Sequence, residues 1–90
     1  MAEYLAERYA SRHDAAAVAA GAERARREAE RMSGEGTHVR LVRSIFVPED
    51  ETCFYLYDAH SAEAVLEAAR RADIRVDRIA ETVTGLGDRV

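Results

Sequence analysis

The stretch from Val39 to Tyr57, VRLVRSIFVPEDETCFYLY, decides the fold of this 90-residue chain. Its β-branched and aromatic residues favour β-strands on both sides of a short polar segment. Pro48–Glu51 is typical of a turn, because proline pre-sets the backbone angle that a turn needs and cannot donate to a central strand. The stretch therefore predicts a β-hairpin of strands Val39–Val47 and Thr52–Tyr57.

Both faces of this hairpin carry apolar side chains. Strict alternation places Val39, Leu41, Ile45 and Val47 opposite to Val42 and Phe46 in the first strand, and Cys53, Tyr55 and Tyr57 opposite to Phe54 and Leu56 in the second. A sheet with one face in water would alternate apolar and polar residues instead. We therefore expect each face to be covered.

The rest of the chain supplies two helices and two further strands. Tyr4–Tyr9 and Asp77–Val83 are predicted strands. Asp14–Met32 is a predicted amphipathic helix, and a second helix follows Ser61, a good N-terminal cap. The apolar stripes run through Val18, Ala22, Ala25, Ala29 and Met32 in the first helix, and through Ala62, Val65, Leu66, Ala69 and Ala72 in the second.

This order predicts an α+β protein with the ferredoxin-like βαββαβ fold. Right-handed crossovers place both helices on one face of a four-stranded antiparallel sheet. A single domain spans residues 1–84, and 85–90 form a C-terminal tail. Because the helices cover one face only, we expect a homodimer in which a second copy covers the sheet face opposite the helices.

Composition excludes several classes of function. A net charge of −4 argues against a nucleic-acid or anionic-membrane binder. The longest uncharged apolar run, Ala15–Ala22, is far shorter than the roughly 20 residues of a membrane span. Glu3 and Glu7 do not suit a signal peptide, and the single cysteine, Cys53, fits a reducing compartment. These features predict a cytoplasmic location.

The three histidines, His13, His38 and His60, show no spacing that is typical of a metal site. A folded site could nevertheless combine His38 with carboxylates from neighbouring segments, a ligand set that suits Ni²⁺. The simpler interpretation is that all three lie exposed in loops or at helix ends.

Charged residues inside the predicted strands offer a second candidate site. Glu7, Arg43 and Glu81 lie among apolar neighbours, and the fold makes the first and last strands adjacent, so Glu7 and Glu81 could approach. We favour a structural ion pair, but a metal site of His38, Glu7 and Glu81 or a general acid/base pair is also open. Tyr55 and Tyr57 could complete a pocket with Glu7, Arg43 and Glu81 inside a dimer, or simply fill an interface.

Three blocks of the chain resemble a small actinobacterial family of unknown function. They are RSIFVPEDETCF at 43–54, YDAHSAEAV at 57–65 and VDRI at 76–79. The resemblance implies a dimeric, ferredoxin-like α+β barrel, and one member of the family is a nickel-binding protein. His60 stands where the family usually has proline, Asp73 where glycine makes a turn, and Arg75 where proline follows. No ligand residue of that member is carried over to this chain.

Two functions therefore remain. The first is a divalent-metal protein, with nickel as the implied ion and sequestration or sensing as its role. The second is a cofactor-free enzyme, such as a cyclase, isomerase or monooxygenase, acting on a small apolar metabolite in the barrel. A pocket that contains Glu7, Arg43 or Tyr55 would favour the enzyme. A simpler alternative to both is an interaction module without a site of its own.

Overall fold

A computed structural model describes residues 2–83 of the chain. The elements are β1 (Ala2–Tyr9), α1 (Ala15–Gly34), β2 (Val39–Val47), β3 (Thr52–Ala59), α2 (Ala62–Arg71) and β4 (Arg78–Glu81), with a short 3₁₀ turn at Pro48–Asp50. The strands form one antiparallel sheet in the order β2-β3-β1-β4. This confirms the ferredoxin-like α+β fold. The predicted tail at 85–90 lies outside the described residues.

The first helix packs closely on the sheet through small side chains. Its buried residues are Val18, Gly21, Ala25, Ala29 and Met32, whereas the expected Ala22 is only partly buried. The helix ends before Gly36, whose positive φ of 105° suits a residue without a Cβ. Across residues 2–83, no helix is long and apolar enough to cross a membrane.

The second helix begins at its predicted cap, but its buried face is rotated from the expected one. The Ser61 hydroxyl accepts a hydrogen bond of 3.1 Å from the backbone N–H of Ala64. The buried residues are Ala64, Val65, Ala68 and Ala69, and Leu66 is 41% exposed. After the helix, Asp73 adopts a left-handed conformation with φ of 60°, as expected for aspartate at this turn.

The two faces of the sheet have different surroundings. The face beneath the helices, which we call the closed face, buries Cys53, Tyr55 and Tyr57 of β3. The other side, which we call the open face, carries Phe54 and Leu56, and both are only partly buried. The predicted alternation of β3 is therefore confirmed, and apolar residues do occupy both faces.

The predicted faces of β2 are wrong in its second half. A β-bulge lies at Val42, because Leu41 pairs with Tyr57 while Arg43 pairs with Leu56. One extra residue exchanges the faces of everything that follows it. Ile45 and Val47 consequently join Phe54 on the open face, and Phe46 turns to the closed face.

Candidate functional site

The carboxylates of Glu7 and Glu81 do not meet within one chain. Glu7 pairs with Arg78 in the sheet, and Glu81 pairs with Tyr4, three positions away from Glu7. The odd spacing places the two glutamates on opposite faces of the sheet. The expected approach of these two residues is thus wrong for a single chain.

Glu7 does form the ion pair that we favoured, but with a different arginine. Its Oε2 atom accepts a hydrogen bond of 2.7 Å from Arg78 Nη1 across the β1–β4 ladder. Arg43 lies exposed on the open face opposite Leu56 and has no carboxylate partner within the range 2–83. Opposite-charge neighbours across strands are a common source of sheet stability, so the Glu7–Arg78 pair has a structural explanation.

The five residues predicted to line one pocket are divided between the two faces. Glu7 and Arg43 lie on the open face, while Tyr55 and Tyr57 are buried on the closed face and Glu81 faces the same way at the β4 edge. A pocket that contains all five therefore does not form in one chain. Both tyrosines instead belong to the core beneath the helices.

His38 lies far from Glu81, because β2 and β4 are the two edges of the sheet. Its neighbour is Asp58 of β3, with 3.6 Å between His38 Nε2 and Asp58 Oδ2. Although the ring as a whole is partly exposed, the Nε2 atom is buried and has no hydrogen-bond partner among the described residues. We call these two residues the His38–Asp58 pair. It is the arrangement closest to a metal site that the structure provides for the predicted histidines.

Two further residues flank the His38–Asp58 pair. His60 donates its backbone N–H to the carbonyl oxygen of His38 at 3.1 Å, which fixes the two histidine backbones side by side. Arg40 approaches the same carboxylate, with Nη2 at 3.7 Å from Asp58 Oδ2. Within residues 2–83, no group of three or more His, Cys, Asp and Glu side chains could hold a metal ion. The pair alone is therefore an incomplete site.

A cavity of about 380 Å³ opens between the start of α1, the end of β1 and the turn after α2. It is lined by Arg8, Ala10, Asp14, Ala17, Val18, Ala20, Arg24 and Asp73. Both arginines are partly buried. Arg24 Nε donates to the carbonyl oxygen of Ala72 at 2.9 Å, and Arg8 Nε donates to that of Tyr9 at 3.2 Å. Neither arginine has an ion-pair partner in the part of the chain that the structure describes. We call this the closed-face cavity.

The hydroxyl of Tyr55 is buried near Gly21 and is not part of the cavity lining. Tyr55 is 1% exposed, and its hydroxyl oxygen has no hydrogen-bond partner within residues 2–83. A methyl group built on Gly21 would lie 3.5 Å from Arg24 Nη2 and 4.0 Å from this oxygen, so all three groups meet at one point. Burial and the neighbouring Cys53 raise the pKa of Tyr55, and the positive charge of Arg8 partly opposes that rise. The hydroxyl is therefore protonated and can donate a hydrogen bond.

Sequence reasoning missed the closed-face cavity. The apolar stripe predicted for α1 does not include Arg24, and nothing in the sequence marked Arg8 or Asp73 as its neighbours. The available signal was Gly21, since a glycine inside an alanine-rich helix indicates close approach of another group. Its partner, Tyr55, is more than thirty positions away along the chain, beyond the reach of any spacing rule.

Comparisons with known proteins identify relatives of this chain. A family model described as nickel responsive protein SCO4226-like matches residues 4–82. The crystal structure of SCO4226 from Streptomyces coelicolor A3(2) aligns with a TM-score of 0.71, covering 93% of this chain and 99% of that chain at 19% sequence identity. At this identity the structural likeness shows the fold alone. A search of curated proteins gave no match.

Proposed function

Because the chain belongs to the SCO4226-like family of nickel-responsive proteins, we propose that it binds Ni²⁺ as a homodimer and acts in nickel sequestration or sensing. Membership alone does not assign residues, so the proposal depends on which side chains can bind the ion. A cytoplasmic location forms part of the proposal, and the buried free thiol of Cys53 is consistent with it.

The His38–Asp58 pair carries the proposal. Imidazole nitrogen is a good ligand for Ni²⁺, and a carboxylate oxygen beside it adds the negative charge that a dication needs. A buried ring nitrogen without a partner is unfavourable, and metal coordination is one way to satisfy it. His38 Nε2 meets this description, with the Asp58 carboxylate 3.6 Å away. These two side chains are suitable ligands for Ni²⁺, and the remaining ligands would have to come from outside this chain.

A second copy of the chain is the natural source of the missing ligands. Asp58 belongs to the open-face residues of β3, so the His38–Asp58 pair borders the surface that no helix covers. The apolar residues of that surface, Leu5, Ile45, Val47, Phe54 and Leu56, are each at least partly exposed. Packing two open faces together would cover them and would bring polar groups of the partner toward the pair.

Arg40 should lower the affinity of the proposed site for Ni²⁺. Its guanidinium lies beside the Asp58 carboxylate and partly neutralises it, which opposes the binding of a cation. Removal of this charge should strengthen nickel binding, whereas loss of either ligand should weaken it. Opposite effects from neighbouring substitutions would separate a specific site from general attraction of the acidic protein for cations.

Calorimetric titration of Ni²⁺ into protein without a histidine tag tests the proposal. We expect His38→Gln to weaken binding by about tenfold or more, since even the outer hydrogen-bond partners of metal ligands contribute about 10–100-fold. Asp58→Asn should act in the same direction, and Arg40→Gln should strengthen binding by about fivefold. His13→Gln, at an exposed histidine before α1, is the matched control.

The outcome of this titration separates three cases. Binding that weakens with His38→Gln and Asp58→Asn but not with His13→Gln supports the proposed ligands. Equal effects of all three substitutions would contradict the site while leaving nickel binding in place. The absence of binding heat at any pH near neutrality would contradict the proposed function itself.

The enzyme hypothesis predicted a pocket that contains Glu7, Arg43 or Tyr55. Glu7 lines a cavity of about 260 Å³, together with five other charged residues. The closed-face cavity contains none of the three, and its lining includes four charged residues, two arginines and two aspartates. A small apolar metabolite would have to remain beside these charges without compensating them. The cavity therefore suits a polar ligand better than the apolar substrate considered for a cyclase or isomerase.

A further inference from the structure

We propose that Arg43 of each subunit forms an ion pair with Glu3 of the partner subunit when two open faces pack together, and that these two pairs set the register of the dimer. The inference rests on the homodimer of the proposed function and names the charged groups that join its two copies. It does not depend on nickel, since neither residue belongs to the His38–Asp58 pair.

The charges of the open face balance, but two of them have no partner in their own chain. The strand register places three carboxylates and three guanidinium groups on this face: Glu3, Glu7, Asp58, Arg40, Arg43 and Arg78. Glu7 is paired with Arg78, and Asp58 lies beside Arg40. Among residues 2–83, neither Glu3 nor Arg43 forms an ion pair. One negative and one positive group are therefore left over on each open face.

Strand β3 separates the two unpaired residues. Glu3 pairs with Asp58 in the sheet and Arg43 pairs with Leu56, so the two residues lie two strands apart and two positions out of line. With about 4.8 Å between strands and about 3.3 Å per residue, their backbones are roughly 12 Å apart. An ion pair within one chain would have to cross the apolar side chain of Leu56, and the structure shows no such pair.

Glu3 has a particular need for a positive charge. It lies directly opposite Asp58, and like charges in a directly opposed cross-strand pair are destabilising. Arg40 approaches Asp58 from β2, whereas Glu3 lies on β1 at the other side of β3. An arginine from outside the chain would therefore relieve the repulsion and neutralise Glu3.

A second copy of the chain supplies the missing charges in equal number. Two identical faces meet in an isologous interface, in which each contact is repeated with the roles of the two copies exchanged. Arg43 of one copy can therefore meet Glu3 of the partner subunit while the partner's Arg43 meets Glu3 of the first copy. Every charged side chain of the two open faces then has an opposite charge beside it.

The position of the apolar residues favours the same arrangement. The open-face side chains of β3 lie between Ile45 and Val47 of β2 on one side and Leu5 of β1 on the other. The apolar patch is therefore centred on β3, and a two-fold axis along this strand would bury it most completely. Such an axis lays β2 of one copy over β1 of the other, and these are the strands that carry Arg43 and Glu3.

The alternative is that Arg43 remains in water. Strand β2 is an edge of the sheet, and charged side chains on an edge strand discourage unwanted pairing with other sheets. Reversal of the Arg43 charge would then leave the dimer unchanged, so the two interpretations predict different results.

Charge reversal, measured by sedimentation velocity with a metal chelator present, tests the pairing. Arg43→Glu and Glu3→Arg should each weaken the dimer by about tenfold or more, because like charges then meet at two places in the interface. The double variant restores opposite charges and should return the dissociation constant to within about threefold of the wild-type value. Arg27→Glu makes the same change at an exposed position of α1 and is the control.

The stability of the single chain separates the pairing from damage to the fold. Glu3→Arg places a positive charge opposite Asp58, so it should make the single chain slightly more stable in urea although it weakens the dimer. A dimer that neither single reversal weakens, or that the double variant does not restore, would overturn the pairing and leave the homodimer in place. A wild-type protein that is monomeric at micromolar concentration would overturn the pairing and the homodimer together, while the nickel titration decides separately on metal binding.

Discussion

The two faces of the sheet differ in the kind of contact that their side chains lack. On the closed face, Tyr55 and Tyr57 are fully packed, but neither hydroxyl has a hydrogen-bond partner in the described residues. On the open face, Glu7 is paired with Arg78, but Phe54 and Leu56 of the same β3 strand are incompletely covered. The closed face therefore lacks polar partners, and the open face lacks apolar cover. Another protein surface would supply the apolar cover that the open face lacks.

The largest expected effect is on packing of the closed face. Tyr57→Ala should lower the free energy of unfolding by about 3–5 kcal/mol, because a fully buried aromatic side chain leaves a cavity that the helices cannot fill. Phe54→Ala, on the open face of the same strand, should cost less than half as much in a single chain. Urea unfolding at protein concentrations low enough for single chains to prevail measures both values. Equal costs would contradict the difference between the faces.

The next effect concerns association through the open face. Phe54→Glu should weaken the proposed homodimer by about 30-fold or more, since a buried interface anchor contributes about 2 kcal/mol or more and a carboxylate cannot be buried there unpaired. Ala19→Glu, on the exposed side of α1, adds the same charge and should leave the dimer intact. Sedimentation velocity across a range of concentrations measures the dissociation constant. A wild-type protein that remains monomeric at micromolar concentration would contradict the dimer.

The difference between the faces was only partly predictable from sequence. The hairpin bounds of β2 were predicted correctly, because the β-branched run and Pro48 mark them directly. The directions in which the side chains of its second half point were predicted wrongly, because the bulge at Val42 inserts one residue without changing the composition of the strand. In α2, the alanines are too weakly hydrophobic to define the buried stripe. The prediction therefore followed Leu66, and the predicted buried face was wrong.

The candidate sites were less predictable than the fold. His38 was a candidate ligand, but the carboxylate beside it, Asp58, comes from the neighbouring strand β3 rather than from β1 or β4. The cavity combines Arg8, Arg24 and Asp73, which meet only after both helices have packed on the sheet. Periodicity describes one element at a time, and for this reason it cannot reveal a site that three elements build together.

The smallest expected effect concerns the hydroxyl of Tyr57, which has no hydrogen-bond partner among the described residues. Tyr57→Phe should leave the fold intact and stabilise it by about 1 kcal/mol at neutral pH, because it removes a buried donor that makes no hydrogen bond. Tyr9→Phe, at a residue 63% exposed, should change stability little and serves as the control. Urea unfolding at pH 7 measures both, and a less stable Tyr57→Phe variant would mean that the hydroxyl has a partner.

The same variant predicts a difference at high pH. Burial raises the pKa of Tyr57 to about 12, above its value of about 10 in an unfolded chain. The folded state therefore holds this proton more tightly, so the associated stability is fully present below pH 10 and is lost as the pH rises from about 10 to 12. Tyr57→Phe cannot ionise and should lose less stability than the wild type over this interval, whereas Tyr9→Phe should follow the wild type. Parallel losses in all three proteins would show that the Tyr57 hydroxyl reaches water, and the closed face would then lack only the acceptor for Tyr55.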